Sequence, residues 1–184
     1  MATARSGADP VVRAPSRDEL AGLREIEVAA GRSFAAIGMD WVAAHEPPPI
    51  EELEAYRAAG LAWVVVADRM PVGYVIAEVL DHALAGPDRA ALHVEQVSVH
   101  PATAHRRLGR RLIERVADEA RARGLGAMTL TTFRDVPWNA AYYERCGFAV
   151  VSEDRMGAGL RRVRADEAAL GLDREPRVAM HRTP

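Results

Sequence analysis

The sequence predicts a mixed α/β (α+β) fold, a sheet layered with helices, on three observations. Apolar, β-branched runs at 61–67, 72–80 and 90–99 follow one another with turn residues between them, as strands of a meander do. From His93 to Val151 the pattern becomes strand, basic turn, helix, strand, helix, strand. Two amphipathic segments, 16–30 and 50–59, precede the meander and supply helices to cover it.

Met1 to Asp9 is small and polar and is expected to be disordered, leaving one domain over 10–184. Val11 and Val12 can start a short strand. Ser16 and Glu19 have capping-box spacing. Leu20, Leu23, Ile26 and Ala30 then predict a helix that stops near Gly31. A loop carrying Phe34, Ile37, Met39 and Trp41 leads to Pro47–Pro49; it caps the core or walls an acceptor site. Ile50–Ala59 is a helix closed by Gly60. Leu61–Ala67 is a strand covered on both faces, Asp68–Pro71 a turn, and Val72–Leu80 its hairpin partner, with Gly73 at a close approach or bulge. Leu108, Leu112, Ile113, Val116 and Ala120 fall on one helical face ending at Gly124. Met128–Phe133 and Phe148–Val151 read as strands around a short helix capped near Asp135, Pro137 or Asn139. Arg161–Leu170 reads as a charged surface helix. Arg177–His181 reads as a last strand, an exposed edge that could pair two subunits into a homodimer.

A length of 184 residues suits one core, and 49% hydrophobic with 27% charged residues is a soluble balance. The net charge of −2 gives no global attraction to nucleic acid or an anionic membrane. Every basic side chain is arginine. The single cysteine, Cys146, excludes an internal disulfide and a cysteine-rich zinc site, and it reads as packed core. The histidines have no metal-ligand spacing, so no metal is expected. The start of the chain lacks the apolar core of a signal peptide, and no run reaches membrane-span length; a cytoplasmic location is expected.

The stretch Thr103-Ala-His-Arg-Arg-Leu-Gly-Arg-Arg111 stands where a strand hands over to a helix. Backbone N–H groups at a helix start converge on one point, and the helix dipole adds positive charge there. Gly109 permits close approach of an anion, and four arginines add forked donors. A pyrophosphate fits such a turn.

The sequence V-S-V-H-P, then a basic turn ending L-G-R-R-L-I, then N-A-A-Y-Y-E-R-C-G-F, resembles the GNAT superfamily of acyl-CoA-dependent N-acetyltransferases. The resemblance covers about Ala90 to Val151 closely. It implies a mostly antiparallel central sheet of about six to seven strands flanked by helices, with acetyl-CoA as acyl donor and an amine as acceptor. It implies that Val97, Ser98 and Val99 offer main-chain groups to the pantetheine arm and the thioester oxygen. His105, Arg106, Arg107, Leu108, Gly109 and Arg110 would wrap the pyrophosphate, Asn139 would reach the pantetheine, and Tyr143 would protonate the leaving thiolate. The family loop, Q/R-x-x-G-x-G/A, has its fixed positions on Ala104, Arg107 and Gly109, and only the last matches. Arg107 in place of glycine leaves two outcomes: the turn keeps its shape, or it opens.

The general base has two main candidates, Glu95 and His93, which alternate onto one face of their strand. Histidine has the better unperturbed pKa, and Glu95 lies nearer the expected thioester. Glu78 is a weaker third candidate. Trp138 is expected to pack at the strand-loop junction, and Tyr142 to face away from Tyr143 by a helical step of about 100°. The rival readings are a non-catalytic acyl-CoA-binding regulatory module of the same fold and, more distantly, a DNA-binding module built on the arginines.

Overall fold

The computed structural model describes residues 9–86 and 89–184. The disorder expected of the N-terminus falls on residues that, except Asp9, lie outside those described. Seven strands form one sheet in the order β1-β2-β3-β4-β5-β7-β6. They are β1 (Val11–Arg13), β2 (Ala62–Ala67), β3 (Met70–Leu80), β4 (Ala91–Val99), β5 (Met128–Phe133), β6 (Ala149–Val150) and β7 (Arg177–Arg182). β1–β2, β2–β3, β5–β7 and β6–β7 pair antiparallel, and β4–β5 pair parallel. The mixed, mostly antiparallel sheet expected from the sequence is present. The chain divides into two compact units. The first holds the described residues up to Ile76 together with Gln96–Leu112; the second holds the described residues of Ala77–Glu95 and Ile113–Pro184. β3, β4 and a helix, α4 (Leu108–Ala122), run through both.

In the first unit, Glu19 closes the capping box, its Oε2 accepting from the Ser16 N–H at 2.7 Å. The helix that follows, α1 (Leu20–Ala35), runs past Gly31, where the sequence predicted its end. Gly31 is helical and faces Ala43: a Cβ there would lie 3.8 Å from the Ala43 Cα, an ordinary contact. Ala43 belongs to α2 (Asp40–Ala43), a short helix in what was expected to be loop. The left-handed turn that ends this region is at Gly38, with φ +80°. A further helix, α3 (Ile50–Ala58), ends as predicted before Gly60. Leu20, Leu23 and Ile26 of α1 and Leu53 of α3 bury against Ala62, Val64, Tyr74 and Ile76 of β2 and β3. Asp68 (φ +51°) and Arg69 (φ +69°) turn the β2–β3 hairpin. Val65 pairs with Gly73 and Val66 with Pro71, so Val72 is the extra residue of a bulge. A Cβ on Gly73 would come within 2.9 Å of the Ser98 carbonyl and 3.1 Å of Val99, so this glycine is needed for close approach to β4.

In the second unit, α5 (Ala140–Arg145) and α6 (Ala158–Ala169) accompany β5, β6 and β7. α6 starts one turn earlier than predicted and is not wholly a surface helix, because Gly159 and Leu160 are buried. Gly157 and Gly159 press against the backbone of 81–84. Their N–H groups donate to Ala83 O and His82 O at 3.0 Å each, and a Cβ on Gly157 would collide with the His82 carbonyl at 1.9 Å. β7 is not an edge: it lies between β5 and β6 and pairs with both. Its six residues pair with the whole of β5, which buries Val178–Met180. The expected homodimer therefore loses the free edge on which it rested.

Candidate functional site

The basic turn belongs to the first unit. A 3₁₀ turn (Pro101–Thr103) leads to Ala104, and α4 begins at Leu108. Between them His105 has φ +65° and Arg107 φ +58°. Arg107 thus holds the left-handed backbone that glycine favours. Alternation of left- and right-handed residues curls successive N–H groups into a concavity suited to an anion. The first turn of α4 adds to it, since a helix leaves its leading N–H groups without intrahelical acceptors. The helical ladder opens with the Arg111 N–H on Arg107 O at 3.3 Å. His105, Arg106, Arg107 and Arg110 are exposed around this point, whereas Leu108 is buried and can contribute only its N–H. Arg111 is occupied elsewhere, its Nη1 donating to Pro10 O at 2.8 Å.

Val97, Ser98 and Val99, expected to meet the pantetheine, close β4, whose main-chain bonds are seen at Leu92 and just past its end at His100. Leu92 N–H donates to Ala127 O, and His100 N–H to Val72 O beside β3. These residues stand an even number of positions apart yet point to opposite sides, so the alternation slips once between them, as at a bulge. Ser98 is buried and its hydroxyl accepts from Gln96 Nε2 at 2.9 Å. The parallel ladder registers only Leu92–Val94 with Met128–Leu130; Glu95 to Val99 lie beyond it.

The second unit carries the candidate acid and bases. His93 and Glu95 do share a face: Nε2 and Oε1 are 3.6 Å apart. The pair is not evenly exposed, however. His93 is 1% exposed, and burial pushes its pKa down to about 4, with Glu167 opposing. It is neutral at neutral pH, so its contact with Glu95 is not an ion pair. Its Nδ1 lies 2.8 Å from Thr129 Oγ1, a partner that sequence reasoning missed. Only the polar interruption of the strand Met-Thr-Leu-Thr-Thr-Phe hinted at Thr129. Glu78 is half-buried on β3.

Tyr143 lies on α5, half-buried, its ring 5.9 Å from Phe148 and edge-on to Tyr142 at 5.4 Å. The two tyrosines therefore touch, contrary to expectation, because long rings on successive residues can span a helical step. Burial pushes the Tyr143 phenol above the ordinary tyrosine value, Cys146 adds to this and Arg177 opposes it. The hydroxyl stays protonated at neutral pH, as a proton donor must. Asn139 occupies the N-cap position of α5, but its side chain makes no capping bond to the helix. Cys146 is buried as expected, and Trp138 is 39% exposed. Among the described residues no cluster of histidine, cysteine, aspartate or glutamate could hold a metal, and no helix is long and apolar enough to cross a membrane.

The model of the acetyltransferase (GNAT) family matches residues 26–148. The IAA acetyltransferase of Azospirillum brasilense is 43% identical over 56 residues, which are 30% of this chain and 37% of that protein. Among solved structures, the PaiA N-acetyltransferase of Thermoplasma acidophilum, in complex with coenzyme A, superimposes with a TM-score of 0.66. It is 14% identical, with 96% of this chain and 99% of that one covered. YncA of Salmonella typhimurium, with its cofactor acetyl-CoA, gives 0.61 at 22% identity over 95% and 93%. The likeness to both structures is one of fold.

Proposed function

Because the chain belongs to the acetyltransferase (GNAT) family, we propose that it transfers an acetyl group from acetyl-CoA to a primary amine by direct attack in a ternary complex. One acetyltransferase domain over 10–184 and a cytoplasmic location go with this reading. The observation that carries it is the turn inside the matched stretch: Arg107 keeps a left-handed φ of +58° where the family pattern has glycine. The N–H groups from His105 to Arg110 receive the pyrophosphate, with Arg106, Arg107 and Arg110 adding charge. Val97, Ser98 and Val99 offer the main-chain groups that bond the pantetheine and polarise the thioester carbonyl. Asn139 bonds the pantetheine from the start of α5.

Glu95 takes a proton from the substrate ammonium, and the freed amine attacks the carbonyl carbon. The C–S bond then breaks, Tyr143 gives its phenolic proton to the departing thiolate, and the proton that the new amide nitrogen sheds passes through water to restore the phenol. Glu95 is favoured over His93 as base because its side chain is 30% exposed and can meet a substrate ammonium, whereas the His93 side chain is 1% exposed.

Calorimetry with acetyl-CoA tests the cofactor assignment. Binding is expected, and Gly109→Val should weaken it without unfolding the protein; equal affinities would place the pyrophosphate elsewhere. Thiol release over a panel of amines tests turnover. Binding without thiol release from any amine would favour the non-catalytic acyl-CoA-binding module.

A further inference from the structure

His93 joins two residues that no sequence motif connects. Its Nδ1 is 2.8 Å from Thr129 Oγ1, and its Nε2 is 3.6 Å from Glu95 Oε1. His93 and Thr129 face each other in the β4–β5 register, and both are buried. Glu95 differs: its side chain is 30% exposed and reaches solvent. We propose that His93 is a positioning residue for Glu95: the Thr129 hydroxyl donates to His93 Nδ1, the ring proton is thereby held on Nε2, and that N–H faces the Glu95 carboxylate. The proposal rests on the reading of Glu95 as the base.

The chemistry permits only one favourable arrangement. A neutral imidazole carries one proton, and the bond made by one nitrogen decides which nitrogen bears it. With the proton on Nδ1, the Nε2 lone pair would face the carboxylate at 3.6 Å, two negative ends opposed. With the proton on Nε2, the positive end of the ring dipole faces the carboxylate instead. At that distance the contact orients and stabilises the anion by charge rather than as a hydrogen bond. The other charged and titratable groups near this row are fixed. Glu167 of α6, which acts on His93, is held by Arg164 of its own helix and by Arg177 of β7. His181 of β7 stands opposite Thr129 in register and feels Arg155. In the reaction the imidazole proton does not move: the ammonium loses its proton to Glu95, and Glu95 returns it to water.

Nitrogen NMR of the His93 ring, assigned by its loss in His93→Gln, reads the tautomer directly. Carbon NMR of the Glu95 carboxyl reads its titration. In the wild type the proton is expected on Nε2. Thr129→Val should shift it toward Nδ1 and raise the Glu95 midpoint by about half a pH unit, roughly a threefold loss of kcat/KM on the acidic limb. KM for acetyl-CoA should not change, and Thr129→Ser should restore the wild-type midpoint. A wild-type proton on Nδ1, or an unmoved Glu95 midpoint in folded Thr129→Val, overturns the proposal. Should the wild type transfer acetyl to no amine, the proposed function fails, while the tautomer and the midpoint still decide whether His93 positions Glu95.

Discussion

Arg182 Nη1 donates to the carbonyl of Cys146 at 2.6 Å, and the same guanidinium meets both carboxylate oxygens of Glu114 at 3.0 and 3.1 Å. β7 thereby clamps the C-terminal end of α5, the helix that carries Tyr143, to α4. The Arg182 side chain is 10% exposed and also lies over the Phe148 ring. Arg182→Met should cost about 2 kcal/mol, the worth of charge-assisted bonds in a partly buried setting. For a chain of this size that is a melting-temperature drop of roughly 4–8 °C. An unchanged melting curve would show that the clamp contributes nothing.

Tyr143→Phe should fold, keep its acetyl-CoA affinity and lose kcat by roughly 10²- to 10⁴-fold, the usual contribution of a positioned acid. The sign of its pKa shift adds a second expectation. Burial raises the phenol, so the donor form persists upward in pH, and Tyr143 should cause no fall in kcat below about pH 10, the ordinary tyrosine value. Steady-state rates of both proteins against pH check this, and an unchanged kcat in the variant removes Tyr143 from the mechanism.

Arg107→Gly should stabilise the free protein by about 1 kcal/mol, because a left-handed φ is costly for any residue with a Cβ. It also removes a charge from the turn. Affinity for acetyl-CoA should therefore change by less than about tenfold, or about 1.4 kcal/mol, with a shallower dependence on salt. Denaturant titration and calorimetry at several salt concentrations measure both effects. A large gain in affinity would mean that Arg107 obstructs the turn, and would favour the non-catalytic reading.

Stability should fall with acid through a window set by His93. Its folded pKa of about 4 lies below the ordinary value of 6.5, so between those values the unfolded chain binds the extra proton. Stability is then complete above about pH 6.5 and falls as the pH approaches 4, by about 3 kcal/mol at most. Glu19, held down to about 2 chiefly by its bond to Arg13, adds a loss of the same sign at lower pH. Urea midpoints from pH 7 to 4.5 should drop more steeply for the wild type than for His93→Gln. Parallel slopes would mean that His93 does not carry the acid response.

Local signals in the sequence located most elements. The capping box at Ser16 and Glu19, the start of α4 at Leu108, its end before Gly124 and the close-approach glycine at Gly73 were all legible. Each depends on residues within a few positions of one another, on side-chain periodicity or on a single steric requirement. The family motifs likewise located the basic turn and Tyr143. Tertiary structure decided what depends on distant partners. The sequence could not say that Thr129, 36 positions from His93, would bond its ring, or that Glu114 would meet Arg182 across 68 positions. Nor could it say that β7 would enter between β5 and β6, or that Gly157 and Gly159 would start α6 early by docking on 81–84. A strand's neighbours and a buried polar group's partner are chosen by packing of the whole chain, because burial without a partner is costly and the sequence offers many candidates.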